Sequence, residues 1–456
     1  MYTINFFDDN CLLKYTSFRR IYGKATRIGE YNVHHSHSEG IVLKDTPLAP
    51  YVMYYTAIDE KGGFRTAMAT SEDGVNFKPL NNDIVFDGKK YPNEIIPLGI
   101  LTELMDAIYN PNGKDGEKFI LMGCYFDNPN VDCPDKIFVS EDGIHFTYKS
   151  TGYHKRGTEG IQTHYWNEEE NCWSFLMRPY WGERYVMRVD TKDFETFTEP
   201  VLTQIPDSID RPQTEIYGMC ATKMGDTYVG LIALYETAYE NYGMKMHKYL
   251  GGNFELQLIY SHDGKYFQRS LRQPFIDNGL CGDQCSGYQM PFSVFEREND
   301  YVFVVAETPR EHGKFNESGA VIAFYSVPKG RFIGMRAYAG PGYMCTRPLL
   351  WHGGEVSVNV QNPYGEIRCR VITDKDEPME GYNFEESVPF TGNGIWTPTW
   401  SNGNTLDMLK DKAFAIEFKC NNGIIWEIKG DCRVMGQIEM LKYVKTGVCP
   451  PEKRAY

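Results

Sequence analysis

Three short stretches of this chain are near-copies of one another: "SEDGVNF" from Ser71, "SEDGIHF" from Ser140 and "SHDGKYF" from Ser261. A fourth, "TKDFETF" from Thr191, keeps the aspartate and the final Phe but loses the glycine. Asp73, Asp142, Asp193 and Asp263 thus recur at intervals of 69, 51 and 70 residues. In each unit an apolar strand such as "RTAMAT" or "DKIFVS" runs into a tight turn. There the Asp and Gly supply turn hydrogen bonds and a positive φ. The aromatic three residues past the Gly position starts the next strand. Further strands precede each turn: "YVMYYTAI", "KFILMGCYF", "SFLMRPYW", "TYVGLIALY" and "YVFVVAE". Helical periodicity is nearly absent. About four strands repeated about five times predict an all-β chain whose repeats close radially, a five-bladed β-propeller that leaves only short sheet edges.

The fifth unit, "VIAFYSVPKGRF", ends at Phe332, and the aspartate signature stops there. Later segments such as "DMLKDKAFAIEFKCNNGIIWEIKG" alternate in hydrophobicity around Gly and Asn-Gly turns. We expect residues 1–335 to be the propeller, 336–446 a C-terminal β-sandwich and 447–456 a tail.

The net charge of −14 disfavours a nucleic-acid partner, which would require a basic footprint, and suits a neutral or cationic ligand better. No stretch approaches 18 apolar residues, so no membrane association is expected. The amino terminus does not read as a signal peptide, and the 12 cysteines lack CxxC pairs. They read as reduced thiols in a cytoplasmic protein. Cys281 and Cys285 have no second pair or neighbouring His to make a zinc site. No cofactor is expected, and a homo-oligomer is left open.

The first strand of a propeller blade lines the central channel, and the chain enters every such strand at the same end. The openers here are "HSEGIVLKD", "ELMDAIYN", "TEGIQTHYW", "TEIYGMCAT" and "CSGYQMPFSV". They bring Glu39, Asp106, Glu159 and Glu215 to one mouth, with Asp283 slightly upstream in the fifth. Carboxylates crowded around one opening split their proton affinities, and one acid with one base is what glycosidic cleavage requires. His34, His35 and His37 suggest metal ligation, but without a recognisable third ligand no metal site is expected. His37 instead suits a substrate hydroxyl or a counter-charge to Glu39. His164, Trp166, Tyr180, Trp181 and Tyr217 are candidates for sugar stacking or hydrogen bonding. The expected site is therefore catalytic Glu39, Glu159 and Glu215, with His37, Asp106, His164, Trp181, Tyr217 and Asp283 binding substrate.

On blade signatures such as "ATSEDGVNF", residues from about 30 to 335 resemble the five-bladed β-propeller glycosidases, glycoside hydrolase families 32 and 43, in a bacterial branch. The C-terminal sandwich is similar to the companion module of many such enzymes. The resemblance implies a nucleophile or base on blade one, a transition-state stabiliser or pKa modulator on blade three and an acid on blade four. By position these are Glu39, Glu159 and Glu215. Those families carry Asp in the first two places, and the β-fructosidase strings WxNDPNG, RDP and EC are absent, so no motif supports fructan cleavage. The expectation is a glycoside hydrolase acting on a short oligosaccharide or glycoside, a furanoside among the options. The alternatives are a phosphorylase or transglycosidase on the same fold, for which Arg156, Arg178 and Arg211 lie near suitable positions, and a non-catalytic carbohydrate-binding propeller.

Overall fold

The structure, a computed structural model, describes residues 1–33, 39–58, 64–80, 83–86, 89–92, 94–96, 103–124, 135–153, 161–179, 184–212, 214–237, 252–312 and 319–448. The chain divides into two compact units, one of residues 25–327 and one of 1–24 with 328–456.

The first unit is the expected five-bladed propeller. Its inner strands are Gly40–Lys44, Glu103–Tyr109, Ile161–Asn167, Thr214–Met224 and Tyr288–Glu296, which match the five predicted openers. Each inner strand contacts the next around the ring, and the fifth contacts the first. Blades two, three and four are plain four-stranded antiparallel sheets in chain order. Blade one splits its outer position between Lys78–Pro79 and Glu94–Ile96, with a small ladder of Asp83–Phe86 on Lys89–Pro92 in the intervening chain.

Blade five lacks a fourth strand of its own. Thr26–Asn32, from the start of the unit, completes it by pairing antiparallel with Val321–Pro328, so that Asn32 lies opposite Val321 and Thr26 opposite Ser326. That strand brings Arg27 to Glu307, a fully buried carboxylate 3.1 Å away that also accepts from the Tyr325 hydroxyl. Burial pushes the Glu307 carboxyl up, and the Tyr325 and Arg27 bonds only partly offset this. The seam between blades five and one is then filled by Val42, Met53, Ala69, Phe295, Val304, Ile322 and Phe324. Comparable apolar clusters seal blades one to two, two to three and three to four.

The repeated aspartates build one turn four times, between the third and fourth strand positions, at the end opposite the strand openers. In each, the preceding Ser or Thr hydroxyl donates to the aspartate Oδ1, at 2.9 Å for Asp73, Asp142 and Asp263 and 3.2 Å for Asp193. The amides two and three residues on donate to the same oxygen. Gly74, Gly143 and Gly264 supply the positive φ the turn needs, and Phe194 adopts φ 60 in the copy without glycine. A side chain there costs about 1–2 kcal/mol. The Phe194 ring is buried against Trp173 and Phe175, which contributes about 1.5–3 kcal/mol in return. The turns are also tied to their neighbours: Tyr54 of blade one donates to the Gly143 carbonyl at 2.6 Å, and Tyr165 of blade three donates to Gly264.

The second unit is the C-terminal β-sandwich, with all nine strands in one hydrogen-bonded sheet around Trp351, Phe414 and Phe418. Its boundary differs from the sequence expectation. Tyr2–Ile4, Leu12–Thr16 and Phe18–Tyr22 do not join the propeller. They pair with Ile424–Val434, Gly342–Thr346 and Ile333–Ala337 and bury Ile4, Leu12 and Phe18. The ring is already closed by Thr26–Asn32, so the first 24 residues satisfy their backbone groups in the other unit, which starts at Pro328 rather than 336. An α-helix, Gln437–Thr446, follows, with Met440 and Tyr443 against Leu350, Ala413 and Met435. No helix among the described residues is long and apolar enough to cross a membrane. Among the described residues, Cys11, Cys172, Cys220, Cys281, Cys285, Cys345, Cys369, Cys420 and Cys432 are free thiols.

Two predictions follow from these contacts. Arg27→Ala leaves Glu307 buried without its cation and is expected to cost about 3 kcal/mol in urea unfolding, since breaking one side of a buried pair typically costs that much. A loss below about 1 kcal/mol would show that Tyr325 and Gln289 satisfy the carboxylate without the cation. The Thr196 and Glu195 amides hold the Asp193 carboxyl at about 2, against about 3.9 for an unfolded aspartate. The folded value is the lower one, so this turn's stabilisation is complete above about pH 4 and disappears as the pH falls towards 2. Asp193→Asn should therefore narrow the gap in unfolding midpoint between pH 6 and pH 3, and an unchanged gap would refute the assignment.

Candidate functional site

Four of the five inner strands carry a β-bulge in their first half. The register skips between Leu104 and Asp106, Ile161 and Thr163, Ile216 and Gly218, and Pro291 and Ser293. Met105, Gln162, Tyr217 and Phe292 are the extra residues. A bulge bends the strand, raises its local twist and re-aims the side chains around it. In blade one, Gly40–Lys44 pairs without a break. The bulges lie at the end where the inner strands begin, which makes that rim the irregular, site-bearing face of an otherwise regular ring.

Polar contacts bridge each consecutive pair of blades at this rim. The Val42 amide donates to Ser293 Oγ at 3.2 Å, joining blades one and five. The Leu104 amide of blade two donates to Thr56 Oγ1 of blade one at 3.0 Å. Asp106 of blade two and His164 of blade three meet at 2.8 Å through Oδ2 and Nδ1. Arg184 of blade three donates to Glu215 Oε2 of blade four. The Tyr217 hydroxyl lies 2.9 Å from His312 Nε2, joining blades four and five.

Of the expected catalytic residues, Glu39 and Glu215 both stand at inner-strand openings, while Glu159 lies outside the described residues. Glu39 directly precedes Gly40; it is buried, and its carbonyl accepts from the Thr56 amide at 3.1 Å. The Glu215 side chain is 41% exposed. The two carboxylates therefore occupy unlike surroundings on one rim.

The expected substrate-binding residues fall into distinct situations. His37 and Trp181 lie outside the described residues, as do His34, His35, Tyr180 and Arg156. Asp106 is 1% exposed, with Oδ1 taken by the Ala107 amide at 2.8 Å and Oδ2 by His164. His164 packs on Trp173 and Phe175. Tyr217 is buried, with Arg178 4.9 Å and Arg184 5.3 Å from its ring centre, and Tyr235, Phe254, Tyr288 and His312 around it. Asp283 is exposed and accepts from the Leu280 amide at 2.7 Å within its own loop. Trp166 lies towards the far end of its strand, beside Trp173.

Several rim residues carry no sequence signal of a site. Arg184 is one charged residue in "WGERYVMRVD", and His312 follows a strand that ends at Thr308. Their roles come from reaching across a blade boundary. Among the described residues, a cavity of about 680 Å³ lies on blade three at the turn end, lined by Glu170, Cys172, Asp190 and Thr191. Glu170, Cys172 and Asp190 have ligand atoms within 4.8 Å of one another, but Arg188 and Lys265 already pair with the two carboxylates.

No protein-family model matches this chain, and no curated protein matches it. Solved structures similar in strand arrangement include an exo-β-1,3-galactanase from Phanerochaete chrysosporium, at 11% identity and a TM-score of 0.41 over 90% of this chain and 99% of that one. A putative glycoside hydrolase from Bacteroides ovatus matches at 13% identity and 0.43, over 68% and 96%. A family 43 arabinoxylan arabinofuranohydrolase from Bacillus subtilis matches at 10% and 0.37, over 88% and 96%.

The Asp106–His164 bond gives a direct stability test. His164→Ala strips a buried carboxylate of one donor, and such losses cost about 1–3 kcal/mol. Thermal unfolding of the variant should fall accordingly, and an unchanged midpoint would mean that the pair contributes nothing at the seam between blades two and three.

Proposed function

We propose that this chain is a glycoside hydrolase acting on a short oligosaccharide or glycoside, with Glu215 as general acid and Glu39 as base or nucleophile. The observation carrying this reading is the placement of two carboxylates, one buried and one half-open, at inner-strand openings of a single rim. Environments that differ in this way are how paired carboxyl groups are given separate acid and base roles. In the reaction, Glu215 gives its proton to the leaving oxygen as the glycosidic C–O bond breaks. Glu39 either takes a proton from the water that attacks the anomeric carbon, or bonds that carbon until water displaces it. Glu159 is expected to stabilise the charge that develops on the ring.

Glu215→Gln is expected to lower turnover of an oligosaccharide substrate by about 10²–10⁴-fold, the usual contribution of a positioned acid, while sugar binding persists. The loss should be smaller for a nitrophenyl glycoside, whose leaving group needs no proton. Equal losses on both would remove Glu215 from the acid role. A parent protein that binds sugars but turns over no glycoside in a broad panel would favour the carbohydrate-binding reading.

A further inference from the structure

We propose that Arg19 and Arg336, side by side on an exposed face of the C-terminal β-sandwich, form a binding site for a tetrahedral oxyanion. The ligand is a phosphate or sulfate group, free or carried on a sugar. The site lies wholly within the second unit and goes beyond the hydrolase reading, on which it does not depend.

Strand register brings the two arginines together. Phe18–Tyr22 runs antiparallel to Ile333–Ala337 with Arg19 directly opposite Arg336. Residues opposite one another in such a pair project from the same face of the sheet, with Cβ atoms about 4.5–5.5 Å apart. Alternation shows which face this is: Ile333, Met335 and Ala337 are buried, while Arg336 between them and Arg19 across from it are exposed. Both guanidiniums gather at one aromatic side chain, the 46% exposed Tyr338, with Arg336 4.9 Å and Arg19 5.8 Å from its ring centre. Such a contact holds a cation without consuming its N–H donors. Neither guanidinium has a hydrogen bond or an ion pair to any group among the described residues. The adjacent Arg20 stands opposite the buried Met335 instead and is engaged by Asp9 at 2.6 Å.

Like charges directly opposite one another destabilise a sheet. The chain has 61 acidic residues against 47 Lys and Arg, yet none of the described ones pairs with either arginine. The tyrosine ring offsets part of the repulsion, and an anion between the two cations removes the rest. Each guanidinium presents five donors in a planar fork that fits two oxygens of a phosphate or sulfate. A tetrahedral group has enough oxygens to engage two forks at once, whereas a carboxylate is satisfied by one. The net charge of −14 opposes an anion only at long range, because at physiological salt fields are screened beyond about 8 Å. Within that distance the two guanidiniums dominate. The exposed ring of Tyr338 is the neighbouring surface for a sugar that carries the group.

The test is calorimetric binding to the full chain at constant ionic strength, with inorganic phosphate, sulfate, glucose 6-phosphate and glucose. At least one of the oxyanions should bind, and Arg19→Gln and Arg336→Gln should each weaken it about ten-fold, the loss expected for one charge-assisted contact. Neither substitution should alter whatever affinity the chain has for glucose. Both side chains are exposed, so the unfolding midpoint of each variant in anion-free buffer should stay near that of the parent, and the rise that the oxyanion gives the parent should shrink. Tighter binding of glucose 6-phosphate than of inorganic phosphate, with the excess lost in Tyr338→Ala, would uphold the site and identify a phosphorylated sugar as its ligand. Equal affinities that both fall in the arginine variants would uphold it for the free ion. No oxyanion binding, or binding that is unchanged in both arginine variants, would overturn the proposal. A chain that hydrolyses no glycoside but shows this pattern would lose the hydrolase reading and keep the site.

Discussion

The propeller exists as a closed object because Thr26–Asn32 pairs with Val321–Pro328. Without that ladder, blade five would end at an open edge and the seam between it and blade one would expose Phe324, Ile322 and Val304 to water. An open edge with apolar flanks is what sheet proteins avoid. Closure is reinforced where it is most specific. Arg27 rides on the incoming strand and meets Glu307, a carboxylate with no exposure. A slipped register would carry Arg27 away and leave that charge uncompensated, so the ion pair selects the register that the apolar seam by itself fixes only loosely.

Closure in turn gives the rim its meaning. With the ring shut, all inner strands begin at one end, and four of them bulge there. The residues just past two bulges, Asp106 and Ser293, both reach a neighbouring blade. The opposite end is regular and held by the repeated aspartate turns and the tyrosine hydroxyls that grip them. The same ring thus has a stapled end, where hydrogen bonds are local and repetitive, and an irregular end, where contacts differ at each boundary. Chemistry requires unlike groups in one place, and the irregular end provides them.

Within that end, the boundary of blades three and four stands apart. Here a half-open carboxylate, Glu215, is bonded to Arg184, whose guanidinium lies 5.3 Å from the Tyr217 ring centre, with that of Arg178 4.9 Å from the same centre.

The aspartate turns, the five openers and the all-β class were legible in the sequence because they rest on interactions between residues a few positions apart. An Asx turn is complete within four residues, and strand alternation needs only its own segment. Even the missing glycine at Phe194 left the turn intact, since its hydrogen bonds come from Asp193. The candidate carboxylates Glu39 and Glu215 were legible for the same reason, as openers of repeats. The closing strand, the transfer of the first 24 residues to the sandwich, the burial of Glu307 and Asp106, and the meeting of Arg184 with Glu215 were not. Each depends on which distant segments become neighbours, and nothing in the local pattern of Arg27 or Arg184 distinguishes it from any other surface arginine. Chain-local hydrogen bonding and periodicity set the repeating unit. Which charged groups face one another across the blades was decided only when the ring closed.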